Sequence, residues 1–125
     1  MYTNKGAMAN LQEQKVQEWT ADYITALNDN FYNHQVDSYQ RMVREGKYTD
    51  HALDQLRNIK TRDARYLYTW KALEGRKYYK IVYQTFDEDD NRFRLGSVHA
   101  FIDKHTGEVY KAASWQNPAN MSDLT

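Results

Sequence analysis

The sequence predicts an α+β domain, with about three N-terminal helices packed on one face of a three- or four-stranded antiparallel β-meander. Two observations carry this. Apolar side chains recur at steps of three and four up to about residue 62, whereas β-branched and aromatic residues gather in short runs after it. Tight turn signals separate those runs, so neighbours in sequence pair most simply as neighbours in the sheet.

From Ala9 to Asn28, the residues Val16, Trp19, Tyr23, Ile24 and Leu27 fall on one face of an amphipathic helix, opposite Glu13, Gln17, Glu18 and Asp22. Asn28, Asp29 and Asn30 read as a turn and N-cap cluster. A second helix is then expected from Phe31 to Glu45, with Phe31, Tyr39, Met42 and Val43 inward and Gly46 as the left-handed residue after its end. Thr49 or Asp50 caps a third helix through about Thr61, burying Ala52, Leu53, Leu56 and Ile59. Residues 1–8 and 120–125 read as flexible tails around one domain, 9–119, with a helical part 9–62 and a sheet part 64–116.

Arg65 to Leu73 alternates Tyr66, Tyr68 and Trp70 with Leu67, Thr69 and Lys71, which favours a strand; the alternative, a helix, leaves the sheet with three strands. Lys77 to Phe86, Phe93 to Asp103 and Glu108 to Trp115 supply the others. Tyr79, Ile81 and Tyr83 are assigned to the buried side, Tyr78 and Lys80 to the open one. Val98, Ala100 and Ile102 are expected to face the helices, with Ser97, His99, Phe101 and Asp103 turned away. Gly107 provides a positive-φ position in the last turn, and Trp115 anchors the final strand onto the helices.

The 125 residues suffice for one domain that buries roughly two thirds of its extended-chain surface. No cysteine is present, which excludes disulfides, thiolate zinc sites and a cysteine nucleophile. No apolar run approaches about 18 residues and no charged-then-apolar leader is seen, so a soluble intracellular protein without membrane contact is expected. Net charge is zero but unevenly spread: residues 57–80 hold eight Lys/Arg against two Asp/Glu, between flanks that are mildly acidic. That block can focus an anionic partner.

The strings GRKYYKIV (75–82) and SVHAFIDKHTGEVYKAASW (97–115), followed by Pro118 and Ala119, resemble segments shared by a group of small uncharacterised proteins of tailed bacteriophages. The likeness covers about a third of the chain. It implies a phage source, and with it a place in the infected host cytoplasm or the virion, but brings no activity. The chain departs from the group in its long acidic loop and after Pro118, where relatives carry a basic stretch.

Arg76, Lys77, Tyr78 and Lys80, with Arg92, Arg94, Tyr110, Lys111 and Trp115 on neighbouring strands, combine cations with stacking rings. Such a set suits single-stranded nucleic acid, whose bases stack while the backbone seeks positive charge. The same residues also fit an ordinary solvated sheet face, or a protein partner that docks on aromatic anchors or a strand edge. Asp87 to Asn91 has oxygen ligands at alternate positions, but Arg92 and Val98 stand where a calcium loop needs Gly and Glu, so it reads as a solvated hairpin. Ser97, His99 and Asp103 fail as a triad, since positions two and four apart on a strand are separated by about 7 and 13 Å. His34, His51, His99 and His105 make no metal spacing.

No catalytic residue, metal or cofactor is assigned. The expected function is non-catalytic binding to a host or phage protein, with a single-stranded nucleic-acid module as the alternative and self-association left open.

Overall fold

A computed structural model describes residues 4–119, with side chains from Asn10 onward. The elements run α1 (Asn4–Glu45), α2 (Thr49–Lys60), a 3-10 turn (Ala64–Tyr66), β1 (Thr69–Glu74), β2 (Tyr78–Asp87), β3 (Arg92–Asp103) and β4 (Val109–Lys111). The strands form one antiparallel sheet in the order β1-β2-β3-β4. The fold is therefore α+β with a four-stranded meander, as expected. Two α-helices, not about three, are present among the described residues.

The first two expected helices are one rod. No Gly or Pro interrupts residues 7–45, so the only break signal was the Asn28-Asp29-Asn30 cluster. Such residues each cost less than about 0.7 kcal/mol in a helix interior. Tertiary contacts offset that. The Asn28 amide donates from Nδ2 to the Trp70 carbonyl (3.2 Å) and accepts at Oδ1 from the Trp70 N–H (2.7 Å), as an adjacent strand would. Phe31 packs edge-on against Tyr68 and Trp70, and Asp29 pairs with Arg62. The helix also starts at Asn4, so most of the expected tail 1–8 is helical; the tail expected at 120–125 lies outside the described residues.

At its other end α1 stops where it should. Gly46 takes φ 69°, its N–H bonds to the Val43 carbonyl, and the Lys47 N–H bonds to that of Met42, the two bonds of a Schellman ending. The short link folds α2 back, bringing His51 against Tyr39. Neither Thr49 nor Asp50 caps α2: the N-cap is Tyr48, left-handed at φ 49° and without a side-chain capping bond. Ala52, Leu56 and Ile59 are buried as expected, but Leu53 is not.

Residues 65–73 divide between the two readings. The 3-10 turn takes the first part, held by the Asp63 carboxylate accepting from the Arg65 N–H, and β1 takes the second. The core lies between α1 and the sheet centre, where Val16 meets Tyr79, Ile81, Ala100 and Ile102, with Tyr23, Ile24, Leu27 and Trp70 around them. This is the inner face. β3 carries an extra residue relative to β2 near His99, and another between Leu95 and Val98: Ile81 pairs with Ala100, Val82 with Val98, but Gln84 with Leu95. A bulge reverses the alternation. Val98 thus sits with Val82 on the outer face rather than facing α1, and His99 turns inward between Tyr23 and Trp70.

Asp103 shapes the turn into β4. Its carboxylate accepts from the His105 N–H (2.8 Å) and the Thr106 N–H (3.0 Å), and Gly107 follows at φ 79°. Gln12 and Glu13 of α1 hold the same turn through the His105 carbonyl and ring. Burial opposes ionisation of Asp103, but the two backbone donors outweigh it and keep its pKa below the ordinary value.

Two outcomes are expected. Asn28→Ala leaves the partly buried Trp70 N–H and carbonyl without these partners and should cost about 1–3 kcal/mol in urea unfolding. Because the Asp103 pKa is depressed on folding, its contribution is present above the unfolded value of about 3.9 and is lost as pH falls through the folded one. Asp103→Asn should therefore be less stable at neutral pH and flatten the acid limb of a stability-against-pH curve.

Candidate functional site

Alternation along β2 places Tyr78, Lys80 and Val82 on the outer face, and register adds Phe101 of β3 and Tyr110 of β4. These side chains pack on one another. Tyr78 meets Phe101 and Tyr110 edge-on, with ring centroids 5.8 and 6.1 Å away. The Lys80 ammonium lies 4.2 Å from the Trp115 ring and 5.8 Å from that of Phe101, while Lys77 approaches Tyr78 at 5.3 Å. Tyr78, Lys80, Tyr110 and Trp115 thus form one surface, with Lys77 beside it. Phe101 is 2% exposed and serves as its floor.

Trp115 does not anchor the last strand to the helices. β4 ends at Lys111, Ala112 bridges to Pro118, and the Ala119 N–H bonds back to the Lys111 carbonyl, a small loop that carries Trp115 to Lys80. Trp115 as a residue is 45% exposed. Lys80 is in turn engaged by two rings, so its charge is only partly offered to a ligand.

The remaining cations go elsewhere. Arg92 and Arg94 sit at the far end of the β2–β3 hairpin, where Arg94 binds Asp87 and Asp90 and Arg92 approaches Asp90 at 3.7 Å. The Arg94 hydrogen bond holds the Asp87 carboxyl below the usual carboxylate range. The acidic loop is a hairpin closed by its own arginines. Lys111 pairs with Ala100, so it belongs to the inner face, and Arg76 lies exposed in the β1–β2 turn.

Of Ser97, His99 and Asp103, the last two are engaged by separate partners. The bulge turns His99 toward α1, where Tyr23 Oη lies 2.9 Å from its Nε2, and Asp103 is occupied by its turn. Among the described residues no group of three or more His, Asp or Glu side chains is placed to hold a metal ion.

Three features escaped the sequence reading. Lys71 and Leu73 of β1 join the outer face opposite Val82 and Lys80, a consequence of register that alternation alone does not fix. β4 covers only Ala100, Phe101 and Ile102, so β3 from Arg92 to His99 has no partner strand on its outer edge among the described residues. Phe93 and Leu95 on that stretch are each 43% exposed. Last, where β4 leaves β3 a cleft of about 430 Å³ opens, lined by Tyr23, His99 and Lys111 with Val98, Val109 and Ala112.

A family of unknown function, DUF7717, matches residues 1–123, which take in every element described above. The chain belongs to this family. No curated protein and no solved structure matches it. In this DUF7717 member, Tyr110 donates its hydroxyl to the Glu108 carboxylate, which pushes the phenol up to about 12. Glu108→Gln should return one of the 11 tyrosines to an earlier ionisation, read as phenolate absorbance in an alkaline titration.

Proposed function

We propose that this chain is a small accessory protein of the phage type that acts by binding another protein, without catalysis, in the infected cell or the virion. The observation that carries the reading is the edge of β3 from Arg92 to His99, unpartnered among the described residues, with Phe93 and Leu95 exposed along it. A bare strand edge is a template for an added strand, whose main-chain hydrogen bonds give affinity and whose alternate side chains give specificity. The aromatic surface of Tyr78, Tyr110 and Trp115 adds rings of the kind that anchor protein interfaces. The phage assignment rests on the likeness of the segments 75–82 and 97–115.

A second reading keeps its own support. Lys71, Lys77 and Lys80 share the outer face or its rim with Tyr78, Tyr110 and Trp115, a pairing of charge and stacking that suits single-stranded nucleic acid. Loss of Arg92, Arg94 and Lys111 from that face leaves it fewer cations than the sequence promised.

The two are separable. Protein binding predicts capture of a partner from bacterial lysate that survives nuclease and is lost in the folded double variant Phe93→Lys/Leu95→Lys. Nucleic-acid binding predicts instead that a labelled oligothymidylate binds at low salt, releases steeply as salt rises, and is ignored by Lys77→Glu/Lys80→Glu. Nuclease-sensitive capture that the edge variant retains would refute the first reading.

A further inference from the structure

Among the described residues the edge of β3 forms a lane that is open at Arg92 and closed at the other end, where β4 ends with Lys111 opposite Ala100. A strand laid in that lane must stop there. Running antiparallel to β3 it would bring its first residue, and an ammonium, against Lys111; running parallel it would bring its last residue and a carboxylate. The closed end holds Lys111 and the His99 imidazole, fixed by Tyr23 Oη 2.9 Å from its Nε2, and no Asp or Glu is among the lining residues. The positive charge of Lys111 repels the ammonium and attracts the carboxylate.

We propose that this cleft is a receptor for the free C-terminus of a peptide that adds to β3 in parallel. The inference rests on the strand-addition reading and gives it a direction and a ligand class. The terminal carboxylate meets Lys111 and the exposed imidazole of His99. The space of about 430 Å³, walled by Val98, Val109 and Ala112, takes the last residue's apolar side chain. Farther along, the register sets Phe93, Leu95 and Val98 on the outer side of the lane, so alternate apolar residues in the peptide find apolar neighbours. Parallel pairing is slightly weaker per residue than antiparallel, and the terminal charge offsets that loss.

The test screens the full chain against random heptapeptides presented with a free C-terminus, and against the same library tethered by its C-terminus with the N-terminus free. Binders are expected from the first library, with an apolar final residue. Amidation of a selected peptide, or Lys111→Ala in the protein, should each weaken binding about tenfold or more, while bound peptide slows amide exchange across Phe93 to His99. Enrichment from the tethered library alone, or indifference to amidation and to Lys111→Ala, would overturn the carboxylate site and leave strand addition standing. Failure of both libraries would overturn the carboxylate site as well. The edge-variant capture experiment reports separately on protein binding.

Discussion

Two extra residues in β3 decide more of this molecule than any single contact. β2 keeps a plain alternation from Tyr78 to Asp87, while β3, paired with it throughout, slips once at His99 and again between Leu95 and Val98. Each slip exchanges the faces on which the following side chains stand. Without them Val98 would continue the inner stripe of Ala100 and Ile102. With them His99 enters a run of rings from Trp19 through Tyr23 to Trp70 and Tyr83. Gly96 belongs to the same distortion: an added Cβ there would lie 2.5 Å from the Tyr83 ring, so a residue without a side chain lets that ring lie over the bent strand.

Sheet edges are managed in three different ways. At β1 a single asparagine from α1 bonds both main-chain groups of Trp70, which takes the place of a neighbouring strand at one position. At β4 the chain itself returns through Pro118 and Ala119. Among the described residues the overhang of β3 has neither device. It is broken by bulges and carries Arg92 and Arg94, features that discourage indiscriminate edge pairing, and those arginines are tied to the loop acids beside them. Both features make this edge a poorer template for copies of itself than a flat, uncharged strand would be.

Much of this was legible in the residues. Strand identities, the inward Tyr79 and Ile81, the left-handed Gly46 and Gly107 and the α2 stripe of Ala52, Leu56 and Ile59 follow from period, turn chemistry and local geometry. What failed had a common cause. Asn28 carries the same signal whether it ends a helix or clamps a strand 42 residues later, and the difference is tertiary. Bulges leave no mark on alternation until the partner strand is known. Residue type and strand alone group the cations from Arg76 to Lys111, yet register and ion pairing send Arg92, Arg94 and Lys111 away and bring Lys71 beside Lys80.

The unbroken run of α1 bears on how the chain assembles during synthesis. Every strand pairs with its neighbour in sequence, so the sheet itself needs few distant encounters, whereas its docking on α1 joins residues as far apart as Val16 and Ile102. Yet the helix that must receive it is translated first, and its Val16-to-Leu27 stripe stays bare until Trp70, Ile81 and Ile102 have left the ribosome. For that interval the nascent chain presents an amphipathic rod with no seat, the form in which a chaperone would meet it.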